Sequence, residues 1–71
     1  MAPPFIEVHV NGELRQVPAG QSVTALLAWL ELPAERVAVE LNKVIVRKRD
    51  WAATTISGGA SLEIVEFVGG G

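Results

Sequence analysis

The 71-residue sequence contains no cysteine and a single histidine. Without cysteine, disulfide bonds, thiolate metal ligands and cysteine nucleophiles are all excluded. With one histidine, a metal site would need several carboxylates beside it. His9 falls on the outward face of a predicted strand, so we interpret it as a solvated surface side chain and not as a ligand or a base. We therefore predict no catalytic residue, no metal site and no bound cofactor.

Basic residues are also scarce, with six lysines and arginines against eight acidic residues and a formal net charge of −2. A nucleic-acid-binding domain would carry a basic surface, so we expect no nucleic-acid partner. The short basic cluster Arg47-Lys48-Arg49 is the exception, and we interpret it as a solvated sheet edge, with a docking site for an acidic partner as the alternative.

Long apolar runs are missing as well. No run approaches the about 20 residues of a membrane span, and the N-terminus lacks the charged start and apolar core of a signal peptide. We expect a soluble, cytoplasmic protein without a membrane partner. Its composition, 49% hydrophobic and 20% charged, is typical of a globular chain. The length allows one small domain, which we assign to residues 1–68, followed by a flexible glycine tail at 69–71.

Residues 5–17 predict a β-hairpin. The stretch FIEVHV (residues 5–10) alternates apolar and polar residues, as a half-buried strand does. The dipeptide NG at 11–12 is the strongest short signal for a hairpin turn, because both residues tolerate positive φ. LRQV then forms the returning strand, with Leu14 and Val17 expected near the core.

A helix and three further strands follow. Ser22 is a plausible N-cap, residues 23, 26, 27 and 30 form one apolar helical stripe, and Pro33 is expected to end the helix. RVAVELN, KVIVRK and SLEIVEFV predict strands, with a brief helical turn anchored by Trp51 before the last one. One main helix on one face of a mixed sheet of four to five strands is an α+β layout. The best fit is a β-grasp (ubiquitin-like) roll.

The last predicted strand is apolar on both of its faces. Only one face of the sheet meets the helix, so Val65 and Phe67 should be partly exposed. If the first and last strands pair, these side chains would adjoin Phe5 and His9. We therefore predict a partner-binding surface formed by Val65, Phe67 and Phe5. Ordinary surface apolarity is the alternative.

Three glycines, Gly69, Gly70 and Gly71, close the sequence. A frayed terminus is the plain interpretation. The functional one is that glycine, without a Cβ, can thread a narrow active-site channel and leaves the terminal carbonyl unhindered. The carboxylate is ionised and unreactive at neutral pH, so another enzyme would have to activate it.

The sequence resembles the ThiS family, small β-grasp sulfur carriers of thiamin biosynthesis that end in Gly-Gly. The resemblance covers nearly the whole sequence and is strongest over residues 37–71, VAVELNKVIVRKRDWAATTISGGASLEIVEFVGGG. The resemblance implies a protein co-substrate and not an enzyme. A ubiquitin-activating-like adenylyltransferase would use ATP to adenylate the carboxylate of Gly71. A sulfurtransferase or cysteine desulfurase route would replace AMP with sulfur, and thiazole synthase would accept sulfur from the resulting thiocarboxylate. Gly70 and Gly71 are the implied diglycine.

The sequence departs from the family pattern at two places. Asn42-Lys43 stands where Asn-Gly is common, and the loop at 57–60 lacks the usual acidic residues. Both departures affect only the expected affinity for partners.

Three alternatives to this function remain open. The chain could carry sulfur for molybdopterin, cysteine or natural-product synthesis, it could be a ubiquitin-like modifier of lysines, or it could be an interaction module with an inert tail.

Overall fold

The computed structural model of the chain describes residues 4–68, so the predicted glycine tail lies outside the described residues. The described part contains one α-helix, α1 (Val23–Trp29), and two 3₁₀ helices, Ala34–Arg36 and Lys48–Ala53. Its five strands are β1 (Phe5–Val10), β2 (Glu13–Pro18), β3 (Val37–Leu41), β4 (Val44–Val46) and β5 (Ser61–Glu66). Within residues 4–68, no helix is long and apolar enough to cross a membrane.

The strands form one sheet in the order β2-β1-β5-β3-β4. β1 and β5 run parallel, and the other neighbouring pairs are antiparallel. The helix α1 packs on one face, which we call the inner face, and the opposite face of the sheet is the outer face. This mixed five-stranded sheet with one main helix confirms the predicted β-grasp roll.

The β1–β2 hairpin turns at Asn11 and Gly12, whose φ angles are 52° and 82°. Two consecutive positive φ angles make the tight turn that the sequence predicts. The turn sets the register, which pairs His9 with Leu14 on the outer face. The prediction that Leu14 lies near the core is therefore wrong, since 55% of it is exposed, whereas Val17 is fully buried as expected.

The helix α1 begins as predicted, because the Ser22 hydroxyl accepts a hydrogen bond from the Ala25 N–H at 3.1 Å. Its end differs from the prediction. The chain reverses at Glu31 (φ 60°), before Pro33 is reached, and the Leu32 N–H donates to the Leu27 carbonyl at 3.0 Å. This bond over five residues closes the helix as a Schellman motif does, with Glu31 in the position usually taken by glycine.

A single hydrophobic core fills the space between the sheet and α1. The segment around Trp51 closes one side of it: Trp51 is 4% exposed, and its indole N–H donates to the Val46 carbonyl at 2.9 Å. The predicted anchoring role of Trp51 is confirmed. The other buried core residues are Val8, Val10, Val17, Val23, Leu26, Leu27, Val37, Val39, Ile56, Ala60, Leu62 and Ile64.

Candidate functional site: the end of strand β5

Strand β5 leads directly to the chain terminus and is the central strand of the sheet, between β1 and β3. Its inward side chains, Leu62 and Ile64, are 0% and 8% exposed. A strand that is paired on both sides and buried on one face has little freedom to slip, because a shift of one residue would expose its apolar set. The terminal segment is thus attached to one of the best-fixed elements of the fold.

An asparagine from the first hairpin turn holds β5 where β1 has already ended. The Asn11 side-chain amide donates to the Ile64 carbonyl at 3.1 Å, and the Asn11 side-chain oxygen accepts from the Ile64 N–H at 2.7 Å. The Asn11 N–H also donates to the Leu62 carbonyl at 2.8 Å. One side chain therefore takes the place of a strand neighbour and satisfies both backbone groups of Ile64.

An asparagine from the second hairpin turn holds the start of the same strand. Asn42 accepts from the Ser61 N–H through its side-chain oxygen at 2.9 Å, and its own N–H donates to the Ser61 carbonyl at 2.7 Å. Asn11 and Asn42 have nearly equal φ angles, 52° and 51°. Sequence reasoning identified the first only as a turn residue and gave the second no role, although asparagine at both turns was a signal that the turns do more than reverse the chain.

The fixed part of the strand ends close to the terminus. The Phe67 N–H donates to the Arg36 carbonyl at 2.7 Å, and the Arg36 guanidinium lies 3.8 Å from the Glu66 carboxylate. Only residues 68–71 follow. Four extended residues span at most about 14 Å, which is the greatest possible distance between Phe67 and residue 71.

Apolar side chains lie on the outer face beside the point where β5 ends. Val65 is 58% and Phe67 56% exposed, and Ala38 of β3, also exposed, is the register partner of Val65. We call Ala38, Val65 and Phe67 the outer patch. The predicted exposure of Val65 and Phe67 is confirmed, and their role in partner binding stays a prediction.

Phe5 does not belong to the outer patch. β1 and β5 pair as expected, but their parallel register aligns His9 with Ser61. Phe5 lies four residues before His9, and Val65 four residues after Ser61, so the two are about 26 Å apart along the strand direction. The expectation that Phe5 adjoins Val65 and Phe67 is therefore wrong, although Phe5 is itself 47% exposed.

The ionisable side chains near the end of β5 point in different directions. Glu63 lies on the outer face opposite Glu40, whereas Glu66 is the register partner of Val37, which is buried on the inner face. These two glutamates of β5 therefore point to opposite faces as predicted. His9 is exposed beside Leu14. Within residues 4–68, no group of three or more histidine, aspartate and glutamate side chains could hold a metal ion.

An open cleft of about 400 Å³ lies between the end of α1 and the β1–β2 hairpin. Leu30 and Leu32 line it on the helix side, and Glu13 and Arg15 on the hairpin side. The two charged side chains face each other at 3.7 Å, so each balances the other, and neither is arranged as an isolated acid or base.

Comparison with known proteins agrees with the geometry. The sequence model of the ThiS family matches residues 8–71. A crystal structure of the thiamine biosynthesis protein ThiS from Geobacter metallireducens superimposes with a TM-score of 0.79 at 36% identity, covering 93% of this chain and 100% of that one. The sulfur carrier protein ThiS of Escherichia coli is 27% identical, over 93% of this chain and all of its own length.

A segment of a thiazole synthase is also similar to this chain. The thiazole synthase of Paramagnetospirillum magneticum is 45% identical over 66 residues, which are 93% of this chain and 20% of that protein. The chain thus spans about a fifth of the length of the thiazole synthase that it matches. A family match over residues 8–71, together with full-length similarity to a ThiS structure, shows that the chain belongs to the ThiS family.

Proposed function

We propose that this chain, a ThiS-family sulfur carrier of thiamin biosynthesis, carries its sulfur on the carboxyl group of Gly71. The observation that carries the proposal is the family match, which runs through the glycines to residue 71. The central, doubly paired position of β5 supports it, because a reactive terminus must be presented to a partner in a reproducible direction.

The chemistry proceeds in two steps on partner enzymes. The Gly71 carboxylate oxygen attacks the α-phosphorus of ATP, and pyrophosphate leaves. In the second step, the outer sulfur of a persulfide on a sulfurtransferase or cysteine desulfurase attacks the acyl carbon, and AMP leaves. A thiol reductant then cleaves the S–S bond of the resulting acyl disulfide. The product is a thiocarboxylate, which donates its sulfur for thiazole formation. The chain contributes no acid, base or cofactor to these steps; it contributes a carboxyl group without neighbouring side chains.

Three partners follow from this scheme: an adenylyltransferase of the ubiquitin-activating type, the sulfur donor, and thiazole synthase. The last is supported by the thiazole synthases that contain a segment similar to this chain, since fusion of two proteins in one chain is expected where they act on each other. The outer patch is the surface that we propose these enzymes contact. We also propose a cytoplasmic location, where ATP is available to the adenylyltransferase.

The proposal is tested by intact-mass spectrometry after incubation with ATP, the adenylyltransferase, a cysteine desulfurase with cysteine, and a thiol reductant. We expect one oxygen to be replaced by one sulfur, on the C-terminal residue. Adding thiazole synthase and its other substrates should restore the original mass as thiazole forms.

Two controls make the result specific. A variant that ends at Gly70 keeps the fold and a terminal carboxylate but shortens the reach by one residue, so it should gain little or no sulfur. Omitting ATP should abolish the exchange. An unchanged mass with a partner enzyme that thiolates Escherichia coli ThiS would contradict the proposal, as would finding the chain only on lysines of other proteins.

A further inference from the structure

The edge strand β4 is surrounded by an unusual concentration of positive charge. Residues 43–49 contain four of the six basic residues of the chain and no acidic residue. The remaining residues therefore hold two basic and eight acidic side chains. The charges are segregated, and the basic segment lies at one edge of the sheet. We call residues 43–49 the basic edge.

The charges of the basic edge take part in no ion pair within the described residues. Among residues 4–68, the ion pairs are Glu13–Arg15 and Arg36–Glu66, and neither involves the basic edge. Lys48 lies over the Trp51 ring, with its Nζ 5.9 Å from the ring centroid. The backbone here is ordered, because the Asp50 N–H donates to the Arg47 carbonyl at 2.8 Å and Trp51 is anchored in the core.

The strand between these charges is apolar and exposed. Val44 and Ile45 are 66% and 68% exposed, and β4 pairs only with β3 in the described part of the chain. The opposite edge strand, β2, differs, since it carries the mutually paired Glu13 and Arg15. The β4 edge is thus an apolar strip with positive charge at each end, and residues 43 and 47 are about 13 Å apart.

The backbone of β4 offers one unpaired donor and acceptor at this edge. The Asn42 N–H donates to Ser61 of β5, so Glu40, two residues earlier, also directs its backbone groups toward β5. The backbone groups of Leu41, the next residue, therefore point toward β4 and its register partner Val44. It follows from the alternation of an antiparallel pair that the Ile45 N–H and C=O point away from β3.

We propose that the basic edge binds an extended, acidic segment of a partner protein, which adds to the sheet as a strand beside β4. The partner's backbone pairs with Ile45, its central apolar residues pack on Val44 and Ile45, and its flanking carboxylates meet Lys43 at one end and Arg47 and Arg49 at the other. Positive charge at both ends repels a second β4 edge, so a symmetric dimer through this edge is disfavoured.

Other occupants fit the basic edge less well. A single-stranded nucleic acid needs an exposed aromatic ring for stacking, but Trp51 is buried, and the rest of the chain is acidic. A membrane surface needs apolar side chains on one side, whereas Val44 and Ile45 are consecutive residues of a strand and point to opposite faces. The open backbone groups of Ile45 also have no use on a lipid surface.

The test uses the full chain and a capped heptapeptide with two glutamates at each end and Val-Thr-Val between them. Titration followed by ¹⁵N–¹H NMR should shift the amides of residues 43–49 and slow hydrogen exchange at Ile45. The control peptides have lysine in place of every glutamate, or proline in place of the central threonine, and should not bind. A variant lacking residues 69–71 should bind the peptide as well as the full chain does. The test of this proposal is therefore independent of the sulfur chemistry.

Two matched variants locate the contact. Arg47→Glu should weaken peptide binding about tenfold, whereas Arg15→Glu, the same charge change on the β2 edge, should weaken it less than about twofold. Circular dichroism would verify that both variants fold. The proposal is overturned by the absence of shifts at about 1 mM peptide, by shifts centred on β2 or the outer patch, or by equal effects of the two variants. Tighter binding of an oligonucleotide or of anionic vesicles through residues 43–49 would also overturn it.

Discussion

Lys43 holds a backbone conformation that lysine rarely adopts. Its φ is 71°, and that of Asn42 is 51°, so the two residues form the tight turn between β3 and β4 with both φ angles positive. For a residue with a Cβ, the left-handed region costs about 1–2 kcal/mol. Asparagine lowers this cost by local hydrogen bonding, and glycine avoids it. The departure from Asn-Gly noted in the sequence is therefore a point of backbone strain.

We expect Lys43→Gly to raise the free energy of unfolding by about 1 kcal/mol, because relief of the strain exceeds the added entropy of the unfolded chain. Lys43 makes no ion pair with another residue in the range 4–68, so little is lost with its side chain. Urea denaturation measures the change. Gly12→Lys, which places lysine at the equivalent position of the first turn (φ 82°), should lower stability by a similar amount. Lower stability of Lys43→Gly would contradict this account.

The side-chain directions on the strands were largely predictable, and the exception is informative. The alternation of residues 5–10 places Val8 and Val10 in the core, where they are 0% and 8% exposed. Leu14 was expected near the core because it is apolar. Its direction is set instead by the two-residue turn, which pairs it with His9 on the outer face. The geometry of the turn therefore decides the direction of the Leu14 side chain, and its apolar character does not. Counting the register from the two-residue turn would have given the correct direction from the sequence.

At the scale of elements, the two hairpins act on β5 through their turn asparagines. Asn11 holds both backbone groups of Ile64, at 2.7 and 3.1 Å, and Asn42 holds the Ser61 N–H at 2.9 Å. Local sequence could predict the turns but not these contacts. Asn11 and Ile64 are 53 positions apart, and only the parallel placement of β1 beside β5 brings them together. The same non-local register separates Phe5 from Val65.

We expect Asn11→Gly to lower the free energy of unfolding by about 1–2 kcal/mol, because the turn keeps its conformation while two hydrogen bonds to Ile64 are lost. Amide hydrogen exchange at Ile64 should accelerate more than exchange at Val8, which lies in the core of β1. Chemical denaturation and NMR exchange measure the two effects. The matched variant Asn42→Gly loses one side-chain hydrogen bond and should be less destabilised. Unchanged exchange at Ile64 in Asn11→Gly would show that the asparagine does not hold the strand.

At the scale of the molecule, the two faces of the sheet differ in burial. The inner face carries the core under α1, and the outer face has no helix over it in the described part of the chain. Phe5 and Phe67 are half exposed, at 47% and 56%, at opposite ends of this outer face. Of the two, only Phe67 lies beside the end of β5, near the terminus that we propose reacts. Two similar side chains on one face therefore differ in their distance from the proposed chemistry.

This difference predicts unequal effects on activation by the adenylyltransferase. Phe67→Ser should lower kcat/KM for adenylation of Gly71 about tenfold, because it removes apolar contact beside the reacting terminus, whereas Phe5→Ser should change it less than about twofold. Pyrophosphate release measures both rates. Urea denaturation should show that the two variants lose similar stability, so a difference in rate cannot come from unfolding. Equal loss of activity in the two variants would mean that the partner covers the whole outer face, and no loss in Phe67→Ser would remove the outer patch from the docking surface.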